Sequence, residues 1–113
     1  KAELTTDSAG DPMIDSESSG SKFVIFFYGC TENRNCTTLQ FYAGWSGPKV
    51  SLDQINKWNN DKRFARAMLD QDGDPMIKQD LDLDDGGVSR LLFEDNLEYW
   101  VLVLKEFAEY IGV

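Results

Sequence analysis

Two cysteines and two runs of aspartate supply the residue types whose spacing in this chain could do chemistry. Cys30 and Cys36 bracket a polar turn, Thr31 to Asn35, between stretches that read as strands, Phe23 to Gly29 and Thr37 to Trp45. Setting the cysteines opposite one another fixes a pairing register. Phe27 then faces Leu39, Ile25 faces Phe41 and Phe23 faces Ala43, an almost wholly apolar side. Tyr28 with Thr38, Phe26 with Gln40 and Val24 with Tyr42 make the other side, aromatic but half polar. A register chosen only to align two thiols thus also sorts the apolar residues. That agreement points to a Cys30–Cys36 disulfide and to an oxidising compartment, periplasmic or secreted; the competing reading is two unrelated reduced thiols in a cytoplasmic protein. Two thiolates without a histidine leave zinc short of ligands, so no metal or cofactor is expected.

The aspartates invite a calcium reading. Asp70, Asp72 and Asp74 have the one-three-five spacing of an EF-hand loop, but Pro75 stands where that loop needs glycine and Leu81 where it needs a bidentate glutamate. Asp80, Asp82 and Asp84 alternate with Leu81 and Leu83, the pattern of a half-buried strand whose carboxylates face water. Catalysis has little to work with: there is no histidine, no Gly-x-Ser-x-Gly elbow and no phosphate-cradling loop, and Gly86-Gly87 has aspartates beside it that oppose an anion. A carboxylate pair for glycoside hydrolysis would be an arbitrary choice among twenty acidic residues. No enzyme is expected. Twenty acidic against eleven basic residues give a net charge of −9, which repels phosphate backbones and anionic lipid, and no apolar run is long enough to span a bilayer. Neither nucleic acid nor membrane insertion is expected.

Turn and cap signals show what must position these residues. Gly-Asp-Pro-Met-Ile occurs twice, at Gly10 to Ile14 and at Gly73 to Ile77. Ala9-Gly10 and Asp72-Gly73 fall where a two-residue hairpin loop would sit. Each proline then opens a returning strand, where its fixed φ suits extended chain and its missing N–H can face away from the ladder. Ser51 and Gln54 have the spacing of a capping box ahead of a helix with Leu52, Ile55 and Trp58 on one face and Asn59-Asn60-Asp61 as its stop. Phe64 to Asp70 and Pro75 to Leu83 form the second hairpin. After Gly86-Gly87, Ser89 caps a long final helix ending near Gly112. The class is α+β with an antiparallel sheet and packed helices, one domain over residues 1–113. The chain begins at Lys1 without an initiator Met and enters strand-like sequence almost at once, so a leader, a first helix or a tag is expected ahead of it.

The final helix carries two apolar stripes. Phe93, Leu97, Trp100, Leu104, Phe107 and Ile111 recur at steps of four and three and must pack on the sheet. Leu92, Tyr99, Val103 and Tyr110 form a second stripe, about 80° round the helix, wider than one helix on one sheet needs. Either the Leu52 helix or a segment ahead of Lys1 covers it, or it is a partner surface formed by Tyr99, Val103 and Tyr110. The aromatic side of the sheet, with Phe26, Tyr28 and Tyr42, is the second candidate surface.

The two Gly-Asp-Pro-Met-Ile copies, the strand Phe26-Phe27-Tyr28-Gly29-Cys30, the pair Trp58-Asn59 followed by Arg63-Phe64, and Gly86-Gly87-Val88-Ser89 leading into Phe93-Glu94-Asp95-Asn96-Leu97 and Trp100 together resemble the bacterial YbjN family. Its members are labelled sensory transduction regulators. The resemblance covers nearly the whole chain in matching order. It implies a fold similar to type III secretion chaperones, a frequently dimeric assembly, no established chemistry, and a first helix ahead of the strand near Ala2. Members that resemble this chain and carry both a signal peptide and the same cysteine pair favour the periplasm. The expected function is therefore a small acidic binding or regulatory module, non-enzymatic and chaperone-like, acting through contacts with a protein partner or client, a homodimer included. The alternative is an envelope ligand- or metal-binding protein that uses the Asp-rich segments.

Overall fold

In the computed structural model, which describes residues 2–84 and 86–113, an aspartate side chain closes each of the two repeated turns. Asp7 Oδ1 accepts from the backbone N–H of Ala9 and of Asp11, both at 2.9 Å. Asp70 Oδ1 repeats this with Asp72 at 2.8 Å and Asp74 at 2.9 Å. The backbone repeats too: Gly10 N–H donates to Asp7 O and Gly73 N–H to Asp70 O, each at 3.0 Å. Gly10 and Gly73 take φ of 89° and 81°, the left-handed conformation glycine adopts without a Cβ penalty. The loops therefore hold three residues, not the two expected from Ala9-Gly10 and Asp72-Gly73. The reason is an aspartate three positions ahead of each glycine, whose side chain closes the wider turn. The repeated unit is accordingly longer than it looked, Asp-x-x-Gly-Asp-Pro-Met-Ile.

These turns join strands β1 (Glu3–Thr6) to β2 (Pro12–Ser18) and β5 (Arg66–Leu69) to β6 (Pro75–Asp82), with each proline opening its strand as expected. Between them lie β3 (Ser21–Tyr28), β4 (Thr38–Gly44) and helix α1 (Leu52–Asp61); helix α2 (Arg90–Ile111) closes the chain. The six strands form one antiparallel sheet in the order β1-β2-β3-β4-β6-β5, so the fold is α+β. β3 and β4 pair with Ile25 opposite Phe41 and Phe27 opposite Leu39, the register inferred from the cysteines.

Alternation along the strands buries Phe23, Ile25, Leu39, Phe41, Ala43, Ala67 and Ile77 on one side, and both helices pack there. Trp100 stacks on Phe41 at 5.4 Å and Trp58 meets Phe107 edge-on at 4.9 Å, so α2 seats on the sheet centre and α1 against the far half of α2. Ser51 and Gln54 form the capping box: Ser51 Oγ accepts from Gln54 N–H at 3.1 Å and Gln54 Oε1 accepts from Ser51 N–H at 2.9 Å. Ile55 and Trp58 are buried, but Leu52, expected on the same face, is exposed because two three-residue steps leave it about 120° round the helix from Trp58. The Asn59 side chain reaches β5, accepting from Ala67 N–H at 2.8 Å and donating to Ala67 O at 3.1 Å. One amide thus occupies the outward backbone groups of an edge strand. Ser89 caps α2 by accepting from Leu92 N–H at 3.1 Å, and Gly112, at φ of 88°, ends it.

Candidate partner-binding surfaces

Because both helices lie on one side of the sheet, the register sends Phe26, Tyr28, Tyr42 and Val24 to the side without helices. Phe26 lies 6.2 Å from Tyr28 and 6.0 Å from Tyr42, ring centre to ring centre, so the three form one aromatic group along β3 and β4. All three methionines of the chain share this side: Met13 pairs with Phe26, and Met76 pairs with both Gly44 and Met68. Methionine is flexible and polarizable, suited to a surface that adapts to what it meets.

Polar groups edge the aromatics. Asp80 receives the Arg66 guanidinium at 2.6 Å and the Gln40 amide at 2.9 Å, and Lys78 Nζ lies 5.8 Å over the Tyr42 ring. Burial would raise the Asp80 carboxyl, but the hydrogen bonds from Arg66 and Gln40, with the charges of Arg66 and Lys78, outweigh it and hold Asp80 below the usual aspartate range. The Tyr28 phenol is pushed above its ordinary value, first by partial burial and then by the negative charges of Asp7 and Asp80. Arg66 and Asp80 are both half exposed, so this pair orients side chains more than it stabilises the fold.

At the end of β3 the Cys30–Cys36 disulfide closes the hairpin loop, in which Thr31 and Arg34 exchange backbone bonds of 2.7 and 3.0 Å. Gly29 enters this loop at φ of 66°, and a Cβ there would run into Thr37 Oγ1. The loop leans over the first hairpin, where Asn33 Oδ1 comes within 3.4 Å of the place a Cβ on Gly10 would occupy.

The candidate surface on α2 is divided by the structure. Tyr99 is about half exposed and stacks flat on Phe64 at 4.4 Å. Val103, expected to be accessible, is buried in the core with Trp58 and Phe107. Tyr110 is half-buried: its hydroxyl donates to Gln54 O at 2.8 Å and its ring lies 5.5 Å from Trp58. Helix α1 is therefore what covers the C-terminal part of the stripe, and Val103 and Tyr110 belong to the packing between elements rather than to an accessible face.

The YbjN family model, described as "Putative bacterial sensory transduction regulator", matches residues 1–112. The chain belongs to the YbjN family. Comparison with curated proteins and with solved structures gave no match.

In this YbjN protein the carboxylates of Asp70, Asp72 and Asp74 lie within 4.8 Å of one another. The first hairpin supplies the comparison that explains them. Asp7 and Asp11 hold the same places as Asp70 and Asp74 and make the same turn, with Ala9 where the second copy has Asp72. The Asp70 carboxylate thus has a structural cause, closing the turn, and Asp74 Oδ1 accepts from Gly47 N–H at 3.4 Å, so only Asp72 is left over. The reading of the sequence also missed two residues. Leu91 and Leu102 are exposed on α2, and their spacing of eleven, three helical turns, was the available signal. It was obscured because Asp95 and Glu98 interrupt the stripe between them.

Proposed function

We propose that this YbjN protein is a small, acidic, non-enzymatic regulatory module that works by holding a segment of another protein, in an oxidising compartment outside the cytoplasm. The observation that carries this reading is the bare side of the sheet, where Phe26, Tyr28 and Tyr42 group together beside Met13 with no helix over them. Aromatic side chains and methionine dominate or adapt protein contacts. The family's regulatory label and the net charge of −9 agree with a partner that is a protein rather than a nucleic acid. A sheet with helices on one side also suits the chaperone-like use of the fold, in which an extended or helical client is held. The Cys30–Cys36 bridge supports the compartment.

A photo-crosslinking residue placed at Tyr28 or at Tyr99 in the native host tests the reading, with exposed Asn60 on α1 as the control. Discrete protein adducts from Tyr28 or Tyr99, and none from Asn60, are expected; no adduct from either overturns the proposal. Calcium calorimetry tests the Asp-rich alternative. Saturable heat that disappears in Asp72→Asn would put metal binding in place of client holding.

A further inference from the structure

Helix α2 presents an apolar stripe that the described helices and strands leave accessible: Leu91 is 69% exposed, Leu92 45%, Tyr99 47% and Leu102 56%. On the 100° helical step Leu91 and Leu102 lie about 20° apart, as do Leu92 and Tyr99, so the four form one band on the side away from the sheet. Tyr99 is held flat against Phe64, which fixes one contact surface in advance. Carboxylates run through the band. Asp95 and Glu98 stand between Leu91 and Leu102, Glu109 continues the line, and among the described residues no salt bridge engages any of the three; Lys105 lies on the same line, so three carboxylates stand against one ammonium.

We propose that this stripe docks a basic amphipathic helix of another protein, its leucine-type residues on Leu91, Tyr99 and Leu102 and its Lys or Arg side chains on Asp95 and Glu98. The proposal rests on the reading of the protein as a contact module and names its partner's chemistry. Charge decides between occupants. A second copy is disfavoured, because the antiparallel pairing that brings Leu91 onto Leu102 of the other copy also brings Asp95 onto its Glu98, and parallel pairing sets each carboxylate on its own counterpart. An anionic membrane meets the same repulsion. A cationic helix gains at Asp95, Glu98 and Glu109, more than the single Lys105 beside them opposes, and finds apolar contacts at a helical repeat.

The test uses the whole folded protein and two synthetic amphipathic probes, a Leu/Lys peptide and the matching Leu/Glu peptide, followed by fluorescence anisotropy. Saturable binding of the Leu/Lys peptide alone is expected. Leu91→Ser with Leu102→Ser should weaken it by about tenfold or more. Asp95→Lys with Glu98→Lys should exchange the preference, losing the Leu/Lys peptide and gaining the Leu/Glu one. Phe26→Ser with Tyr28→Ser should leave binding unchanged. All the α2 substitutions are at exposed positions, and melting curves establish that each variant is folded. If only the Phe26 and Tyr28 variant loses binding, the α2 assignment is overturned while the contact-module reading stands. Failure of the unaltered protein to bind the Leu/Lys peptide overturns the assignment as well; absence of crosslinks from Tyr28 and Tyr99 is what removes the underlying reading.

Discussion

Replacing Asn59 by alanine should loosen one edge of the sheet, and the size of the effect follows from two hydrogen bonds. The Asn59 amide accepts from Ala67 N–H at 2.8 Å and donates to Ala67 O at 3.1 Å. Each such bond contributes about 1 kcal/mol net. Ala67 is buried, so its freed backbone groups do not simply return to water, which places the cost of Asn59→Ala at roughly 2 to 3 kcal/mol. In a domain of this size that lowers Tm by roughly 10 °C. Asn59→Asp separates the two bonds. A carboxylate can still accept from Ala67 N–H but faces the Ala67 carbonyl, whereas a protonated carboxyl can donate to that carbonyl. The folded-state pKa of the introduced carboxyl should therefore be raised. Its stabilising contribution is fully present below the unfolded aspartate value and is lost as pH rises through the folded one. Urea unfolding across acidic pH, with hydrogen exchange at the Ala67 amide, measures both effects. Unchanged stability of Asn59→Ala together with a still-protected Ala67 amide would refute the reasoning.

Glycine substitutions should rank by whether space as well as φ forbids a side chain. Gly73→Val, at φ of 81° with nothing near its Cβ position, should cost more than about 1 kcal/mol through backbone strain, and Gly29→Ala, which also strikes Thr37 Oγ1, should cost more than the same change at Gly73 in thermal melts. Replacing Cys30 and Cys36 with serine should cost about 2 kcal/mol in the chain-entropy account of a short loop, and thiol titration of the unreduced, denatured protein should find no free thiol. Asp80 is held below the ordinary aspartate value of 3.8, so its contribution is present above that pH and is lost as pH falls through the lower folded value. Asp80→Asn should remove that part of the acid sensitivity, by less than about 1 kcal/mol because the Arg66 pair is half exposed; an unchanged acid titration of stability would contradict it.

Features that depend on neighbours in the chain were legible in the sequence. The β3–β4 register follows from strict two-residue alternation between two linked strands, so aligning Cys30 with Cys36 was enough to place Ile25 on Phe41. The capping box at Ser51 and the long helix from Ser89 to Gly112 follow from backbone groups that must be satisfied within a turn of the helix end. The turn loops were placed but measured one residue short, because the aspartate that closes each lies outside the repeated pentapeptide. Tertiary structure alone decided where distant elements meet. It inserted β6 between β4 and β5, laid α1 against Tyr110, buried Val103 and left Leu91 and Leu102 in solvent. Periodicity records that a helix has an apolar residue on a given flank but not which element will come to cover it, since that is set by packing between segments far apart in sequence. The same limit hid the role of Asn59, a polar residue at a helix end whose partner, Ala67, is chosen by the fold.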